Sequence, residues 1–403
     1  MSTIADGGVS SPRGFEAAGI HCGVKADAQL MDLALVHSTA PATAAAVYTT
    51  NQVQAAPIAI DREHLADGEA RAVVLNSGNA NACTGVQGDR DGRQMCELTA
   101  AALGLEAAEV LVCSTGVIGV ELPMEAIAAG IPRVTAALAA DGGAQAAAAI
   151  MTTDTFAKSF AVELELNGGP VRIGGMAKGA GMIAPNMATM LSVVTTDAAV
   201  PAPLLQRLLP EAVERSFNCI TVDGDMSTND TVIALANGAS GTAPLVDDGG
   251  PTVAAFAAAL QEVCRELARM IARDGEGATK LVEIKVGGAR SVAQARQVGL
   301  SVANSNLVKT AIFGCDPNWG RILCAIGYAG VPIDTAAVRV GLCGKTIYAA
   351  GAGAALALEP LVEAMRGDEI PIEIDLGAGT AAAEIFTCDF SYDYVRINAE
   401  YTT

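Results

Sequence analysis

Apolar residues recur along the chain with two different spacings, and the longer spacing predicts helices. Between residues 252 and 273, one set of apolar residues follows at steps of four, three, four and four, which places the set on one face of an α-helix. Its members are Phe256, Leu260, Val263, Leu267 and Ile271. Asp274 and Gly275 come next, and this pair is typical of the end of a helix.

The shorter spacing predicts strands. Apolar and polar residues alternate strictly at 282–286, at 372–376 and from 386 to 394, as in strands with one buried face. Continuous apolar runs at 72–75 and 110–113 are typical of strands buried on both faces. Because the two patterns are interleaved, the sequence predicts an α/β protein in which helix layers cover sheets.

Composition supports a folded chain outside the membrane. The 403 residues are 51% hydrophobic, which is ample for a buried core and excludes intrinsic disorder. Each apolar run is interrupted before it reaches the roughly 18–20 residues that a bilayer requires. Residues 1–6 do not begin a charged-then-apolar signal peptide, so we expect a cytoplasmic protein.

Charge and histidine content restrict partners and chemistry. The formal net charge is −19, and a surface of that sign repels phosphate backbones, so nucleic-acid binding is not expected. The three histidines, His21, His37 and His64, all lie near the start of the chain. A nucleophile in the later chain would therefore need a base other than histidine.

No metal site is predicted. The ten cysteines are scattered, without a C-x-x-C pair or a Cys/His cluster at zinc-ligand spacing, which favours buried reduced thiols. Residues 223–229 superficially resemble a calcium loop. Thr228 stands where such loops need Gly, however, and Ala234 stands where they need Glu.

The most distinctive segment lies at 174–194, where a glycine-rich stretch passes through Pro185 and Asn186 into a strand-like run. A phosphate-binding loop would need its lysine after the last glycine and a helix to follow, but Lys178 precedes Gly179 and a strand pattern follows. The segment therefore does not predict a nucleotide site.

A processing site is a second interpretation of this segment. Cleavage between Ala188 and Thr189 would give Thr189 a free α-amine, which can act as the base for its own hydroxyl. Such an amine has a pKa of about 7.7–8.0, so part of it is unprotonated near neutral pH. A glycine turn that leads into a strand, with Thr189 on the surface, is the alternative that these residues alone favour.

The whole string from Lys178 to Leu191 closely resembles the cleavage and active-site segment of the ArgJ family, the glutamate N-acetyltransferases also called ornithine acetyltransferases. Ala184 departs from this pattern, since His is common there in the family, but it lies beside the chemistry. Further segments match in order along nearly the full chain, at 14–15, 19–25, 76–85, 114–119, 151–155, 221–230, 314–321 and 398–403.

The resemblance implies a DmpA/ArgJ-like layered sandwich with an arrangement of sheets and helices like that of N-terminal-nucleophile hydrolases. It also implies a precursor that cuts itself into an α chain, 1–188, and a β chain, 189–403, which stay packed as one folded unit. Two α and two β chains would form the assembly. The cut would proceed by an N-to-O acyl shift onto the Thr189 hydroxyl, followed by ester hydrolysis.

The implied activity is a ping-pong acyl transfer. Thr189 would take acetyl from N2-acetylornithine, release ornithine and hand the acetyl group to glutamate, which divides one hard transfer into two easier ones. No tightly bound cofactor is implied, and no metal. The sequence leaves open whether acetyl-CoA also serves as a donor.

The resemblance assigns Thr115 and Gly116 to the oxyanion hole, although Ser114–Gly116 alone would be interpreted as a strand-ending turn. It assigns substrate binding to residues on both sides of the cut and leaves two threonines competing for one position. Without the resemblance, Lys178 would be interpreted as a solvated charge and Glu276 as an exposed acid. The polar C-terminus would be interpreted as a frayed end. These substrate-binding residues are Thr152 or Thr155, Lys178, Thr189, Glu276, Asn398 and Thr403.

Two other functions compete with acetyl transfer. An autoproteolytic amidase or aminopeptidase of the DmpA type would use the same nucleophile but give the acyl group to water. A metabolite-binding protein would never be cut. Residues 316–321 contain the only Trp and are expected to shape a turn near the site, without a readable role.

Overall fold

The structure is a computed structural model that describes residues 1–184 and 190–400. Within these residues the chain forms three β-sheets with helices on their faces. The strands are β1 (Ser2–Thr3), β2 (Phe15–Ile20), β3 (Leu33–Ser38), β4 (Thr43–Tyr48), β5 (Ala72–Asn79), β6 (Val110–Val117), β7 (Lys158–Leu166), β8 (Gly169–Lys178), β9 (Leu191–Thr196), β10 (Thr231–Ala236), β11 (Leu281–Ala289), β12 (Arg339–Leu342), β13 (Lys345–Ala349), β14 (Ala352–Gly353), β15 (Glu369–Asp375) and β16 (Ala381–Cys388).

The helices of the described residues range from one and a half turns to more than six turns in length. They are α1 (Ala56–His64), α2 (Gly85–Leu103), α3 (Met124–Ala136), α4 (Gly143–Ala149), α5 (Ala202–Glu214), α6 (Pro251–Arg273), α7 (Val292–Ala303), α8 (Asn306–Phe313), α9 (Trp319–Gly327), α10 (Glu359–Ala364) and α11 (Tyr392–Glu400). None of these described helices combines the length and apolarity needed to cross a bilayer.

Two of the sheets pack face to face. Sheet A has the order β1-β7-β8-β9-β10-β4, and sheet B has the order β2-β3-β5-β6. Side chains from the facing surfaces, such as Met176 and Ile233 of sheet A and Leu75 of sheet B, share one core. Helices α5 and α6 cover the outer face of sheet A, and α1, α2 and α3 cover the outer face of sheet B. The result is a helix–sheet–sheet–helix sandwich, which confirms the α/β class and the layered arrangement.

Sheet C, with the order β14-β13-β12-β15-β11-β16, forms a separate layer with its own core. Helices α7, α8 and α9 pack on it through residues such as Val298, Ile312 and Ile326. It joins sheet A through α6, because Leu281 and Phe386 of sheet C contribute to the core beneath that helix.

Most of the predicted elements are confirmed. The apolar stripe of α6 is buried, and the runs at 72–75 and 110–113 lie inside β5 and β6, buried on both faces. The strands predicted at 282–286 and 372–376 correspond to β11 and β15, although β15 ends at Asp375.

The strand predicted from 386 to 394 is wrong beyond Cys388, where β16 ends. The Asp389 carboxylate, directly after β16, accepts the backbone N–H groups of Thr279 and Lys280, at 2.8 and 2.9 Å. Ser391 then accepts the Asp393 N–H at 3.1 Å and starts α11. These side-chain hydrogen bonds end the strand, although the alternation of apolar and polar residues continues to residue 394.

Truncating Leu267 tests the core under sheet A. Leu267 is fully buried on α6, against Gly175 of β8. We expect Leu267→Ala to lower the free energy of unfolding by about 2–5 kcal/mol, because it removes buried methyl groups and leaves a cavity. The same substitution at Leu307, which is 60% exposed on α8, should cost less than about 0.5 kcal/mol. Equal denaturant midpoints for the two variants would contradict this packing.

Candidate active site

A pocket of about 280 Å³ opens where sheets A and B end side by side. Its walls come from the ends of β5, β6 and β8, from the loop after α4, from residues 223–229, from the turn after α6 and from α11. Among the described residues, no three His, Cys, Asp or Glu side chains are grouped as ligands for a metal ion.

The structure brings most of the sequence-predicted site residues to this pocket. The predicted residues that line it are Thr115, Gly116, Thr152, Lys178, Glu276 and Asn398. Of the two competing threonines, Thr152 lines the pocket, whereas the Thr155 hydroxyl donates to Asp274. Ala188, Thr189 and Thr403 lie outside the described residues.

Thr115 and Gly116 form the end of β6, which runs parallel to β5. Gly116 lies opposite Gly78 and has a φ of 136°, and a Cβ there would overlap the Gly78 backbone. Only glycine fits this position, so the close approach of the two strands explains why it occurs here. Lys178 Nζ lies 3.3 Å from the Thr115 hydroxyl oxygen, which places an amine and a hydroxyl together beside Gly116 in the pocket wall.

Polar bonds behind this spot hold the ends of β5 and β6 together. Ser114 Oγ donates to Asn76 Oδ1 at 2.6 Å. Asn229 Nδ2 donates to the carbonyl oxygens of Ala80 and Ser114, at 2.6 and 2.8 Å. All these groups are buried, where an unmade hydrogen bond is costly, so they fix the geometry of the wall.

Glu276 and Asn398 form the opposite wall. Asn398 Nδ2 donates to Glu276 Oε2 at 2.8 Å, and the Glu276 N–H donates to the Ala180 carbonyl at 2.8 Å. A side chain at Gly181 would overlap the Glu276 carboxylate. Glycine at 181 therefore allows the carboxylate to pack against the backbone of the stretch that follows Lys178.

Helix α11 reaches the pocket because aromatic and polar contacts dock its first turns. The rings of Phe390 and Tyr394 stack with centroids 4.4 Å apart, and Ser391 Oγ donates to the Gly277 carbonyl at 2.5 Å. Tyr394 also lines the pocket and donates its hydroxyl to Asp223 Oδ2 at 3.3 Å. Burial, together with the Asp223 carboxylate, raises the pKa of Tyr394, so its hydroxyl stays protonated.

Two aspartates from the loop before β10 hold the chain on either side of residues 185–189. Asp223 accepts the N–H groups of Met182 and Ile183 at 2.7 and 2.8 Å, and burial raises its pKa. The buried Asp230 accepts the Met190 N–H at 3.0 Å. Sequence reasoning missed these residues and Tyr394; the only signal was that 221–230 matched the family segment.

Lys178 is buried, with 2% of its surface exposed. Burial lowers its pKa, since a charge loses hydration there, and the neighbouring Lys158 lowers it further. Asp154 opposes both effects. The sequence-only interpretation of Lys178 as a solvated charge is therefore wrong.

The sequence profile of the ArgJ family matches residues 16–403. This chain belongs to the ArgJ family. Two members named "Arginine biosynthesis bifunctional protein ArgJ" are similar over nearly their full length. The protein from Symbiobacterium thermophilum is 52% identical over 398 residues, which cover 98% of this chain and 99% of that protein. The protein from a Synechococcus species is 51% identical over 408 residues, which cover 98% of each chain.

Two solved structures are also similar to this chain. The crystal structure of the ArgJ protein from Bacillus halodurans is 42% identical with a TM-score of 0.52, and it covers 53% of this chain and 100% of that chain. A structure of ornithine acetyltransferase complexed with ornithine, from Mycobacterium tuberculosis, is 44% identical with a TM-score of 0.41 and covers 46% of this chain and 97% of that chain.

The charge of Asp154 makes a testable contribution to acid stability in this ArgJ protein. Burial raises the pKa of Asp154, but Lys178, Lys158 and the Gly179 N–H outweigh burial and lower it from 3.8 to about 2. A folded-state pKa below the unfolded value stabilises the fold above pH 3.8, and this stability is lost as the pH falls through about 2.

We therefore expect the difference in free energy of unfolding between the wild type and Asp154→Asn to narrow by roughly 2 kcal/mol as the pH falls through this window. Denaturant titrations at a series of acidic pH values measure this difference. A difference that stays constant with pH would contradict the assigned ionisation.

Proposed function

We propose that this chain is a self-cleaving acetyltransferase that uses Thr189 to move acetyl from N2-acetylornithine to glutamate. Its family places it among acetyltransferases of arginine biosynthesis. The observation that carries the proposal is the convergence of Thr115, Gly116, Lys178 and Glu276, with Asn398, on one pocket. These residues come from distant parts of the chain, and the pocket lies where the stretch containing Thr189 begins and ends.

Maturation is proposed as an N-to-O acyl shift. The Thr189 oxygen attacks the Ala188 carbonyl carbon, the C–N bond breaks, an ester bond forms, and the hydroxyl proton passes to the released nitrogen. Water then hydrolyses the ester, which leaves a carboxylate on Ala188 and a free amine on Thr189. The Asp223 and Asp230 carboxylates accept the backbone N–H groups of Met182 and Met190, so the chain is anchored on both sides of the proposed cut.

The mature enzyme would then run two acyl transfers. The Thr189 amine takes the hydroxyl proton while the oxygen attacks the acetyl carbonyl, and ornithine leaves with that proton. The α-amine of glutamate attacks the acetyl ester, N-acetylglutamate forms, and Thr189 recovers its hydroxyl proton. Acetyl-CoA is a second proposed donor, supported by the bifunctional name of the relatives, with its thiol as the leaving group.

The pocket's charges suit this chemistry. The Thr115 hydroxyl and the Gly116 N–H can donate to an oxyanion, which develops in both transfers. The Lys178 cation disfavours a second positive charge nearby and so favours the neutral amine of Thr189. Glu276, held by Asn398, offers a carboxylate to an amino-acid substrate. Thr152 and Thr403 complete the proposed substrate-binding set.

The proposed products of the cut are an α chain, 1–188, and a β chain, 189–403, assembled as two of each. Residues 189–403 make up 53% of the chain. The match to the Bacillus halodurans structure also covers 53% of this chain, and it covers 100% of the Bacillus halodurans chain. We place the enzyme in the cytoplasm, since all ten cysteines, each within the described ranges, are free thiols.

Thr189→Ala tests the nucleophile. We expect this variant to stay a single chain of 40.7 kDa and to lose acetyl transfer, because it lacks the hydroxyl that both steps require. Thr189→Ser should retain part of both activities. Intact mass measures the cut, and an assay of glutamate-dependent N-acetylglutamate formation measures the transfer. Thr346→Ala, at an exposed position of β13, is the control. Full activity in uncut Thr189→Ala would defeat the assignment.

The same assay separates acetyl transfer from hydrolysis. Wild-type protein should form N-acetylglutamate in proportion to the glutamate supplied. Release of acetate from N2-acetylornithine with no N-acetylglutamate formed would instead identify a hydrolase of the DmpA type. A wild-type chain that never splits would indicate a binding protein.

Thr115→Val tests the oxyanion hole. The change keeps the shape of the side chain but removes one donor, so kcat should fall by about 10²–10³ with little change in KM. Thr135→Val is the control, because that hydroxyl donates within α3, to the Ile131 carbonyl, and Thr135 is not among the described residues that line the pocket. A lower affinity at unchanged kcat would assign Thr115 to substrate binding instead.

A further inference from the structure

Behind the pocket lies a lysine that is completely buried between two carboxylates. Lys158, the first residue of β7, has none of its surface exposed. Its Nζ lies 2.6 Å from Asp154 Oδ1 and 2.6 Å from Asp274 Oδ2, and both carboxylates are buried. We name Lys158, Asp154 and Asp274 the Lys158 cluster. Burying three charges is costly even when they are paired, so stability alone explains such a cluster poorly.

Asp154 connects Lys158 to two walls of the pocket. Its Oδ1 also accepts the Gly179 N–H at 2.7 Å, directly after Lys178. Its Oδ2 accepts the Thr152 N–H at 3.0 Å, and Thr152 lines the pocket. A shift of this carboxylate would therefore move both walls.

Asp274 connects Lys158 to the third wall. It follows the last residue of α6 and comes two residues before Glu276. It accepts the Thr155 N–H at 2.9 Å and the Thr155 hydroxyl, so the loop after α4 and the turn after α6 are fixed to one carboxylate. The two aspartates join Lys158 to three separate segments of the pocket, although none of the three cluster residues is among the described residues that line it.

The cluster also contributes to the electrostatic environment of Lys178. Burial is the main cause that lowers the pKa of Lys178; Asp154 raises it, and Lys158 lowers it. Removing either charge should therefore change the protonation of Lys178, and in opposite directions. The other charged groups that interact with Lys178 are Asp230, Glu276 and Lys25.

We propose that the Lys158 cluster is the positioning unit of the active site: it holds the Lys178–Gly179 wall in register with the Glu276 wall and balances the charge that Lys178 faces. The proposal rests on the function proposed above for the pocket. Its residues act through Lys178 and Glu276 rather than on the substrate. Lys158 and Asp274 lie on opposite sides of the proposed cut, so their ion pair would also join the two products.

The test is the pH dependence of kcat/KM for acetyl transfer from N2-acetylornithine to glutamate. One rising or falling limb of this pH profile should be absent in Lys178→Met, and that limb is assigned to the titration of Lys178. Lys158→Met should move this limb to higher pH, because a repelling cation is removed. Asp154→Asn should move it to lower pH, because an attracting anion is removed.

Both variants should also lower kcat/KM, by up to about 10²-fold, the effect of misplacing a reacting group by about 1 Å. Asp197→Asn is the matched control. Asp197 is also buried and accepts two backbone N–H groups, from Arg13 and Arg172, but it is not among the described residues that line the pocket. The control should leave the profile unmoved.

A double variant keeps the proposal testable if a single one fails to fold. Lys158→Met with Asp274→Asn removes one charge of each sign and leaves Asp154 facing Lys178, so the limb should again move to higher pH. Profiles that stay in place, or that move in the same direction in Lys158→Met and Asp154→Asn, would overturn the proposal.

Failure of the proposed function would give a different result. If wild-type protein releases acetate without making N-acetylglutamate, the transferase function fails. The pH profile of acetate release then tests the cluster with the same variants and the same expected directions.

Discussion

The candidate active site depends on the antiparallel pairing of β8 with β9. Lys178, the last residue of β8, lies opposite Leu191, the first residue of β9. The stretch from 179 to 190 therefore leaves sheet A and returns to it at one place, next to the ends of β5 and β6. Because backbone hydrogen bonds of the sheet set these two points, the position of the site does not require an unbroken chain between them.

Close backbone approaches and buried polar groups complete the site. Gly116 and Gly181 let a strand and a carboxylate come nearer than any side chain would allow. Buried carboxylates such as Asp154 and Asp230 then accept backbone N–H groups that loops would otherwise leave unsatisfied. The irregular segments of the pocket wall are thus anchored to acidic side chains, beside the ends of strands β5, β6 and β8.

Sequence reasoning predicted the elements whose pattern is local. The stripe of α6 was found because its residues face one core, and the apolar runs of β5 and β6 were found because both faces of these strands are buried. Helix α11 was mispredicted, because contacts of Asp389 and Ser391 with residues more than 100 positions away decide its course. The resemblance found six of the residues that line the pocket, but it did not include Lys158, and one of the two partners of Lys158, Asp274, is 116 residues distant.

The strand order of sheet A has a consequence for folding. Strands β9 and β10 lie between β8 and β4, so the proposed cut leaves two strands of one product inserted between strands of the other. The precursor reaches this arrangement in a unimolecular reaction. Once cut and separated, the products could regain it only by meeting in solution, at a rate that depends on their concentration. Such an enzyme would be assembled once, and its lifetime would be governed by how slowly it unfolds.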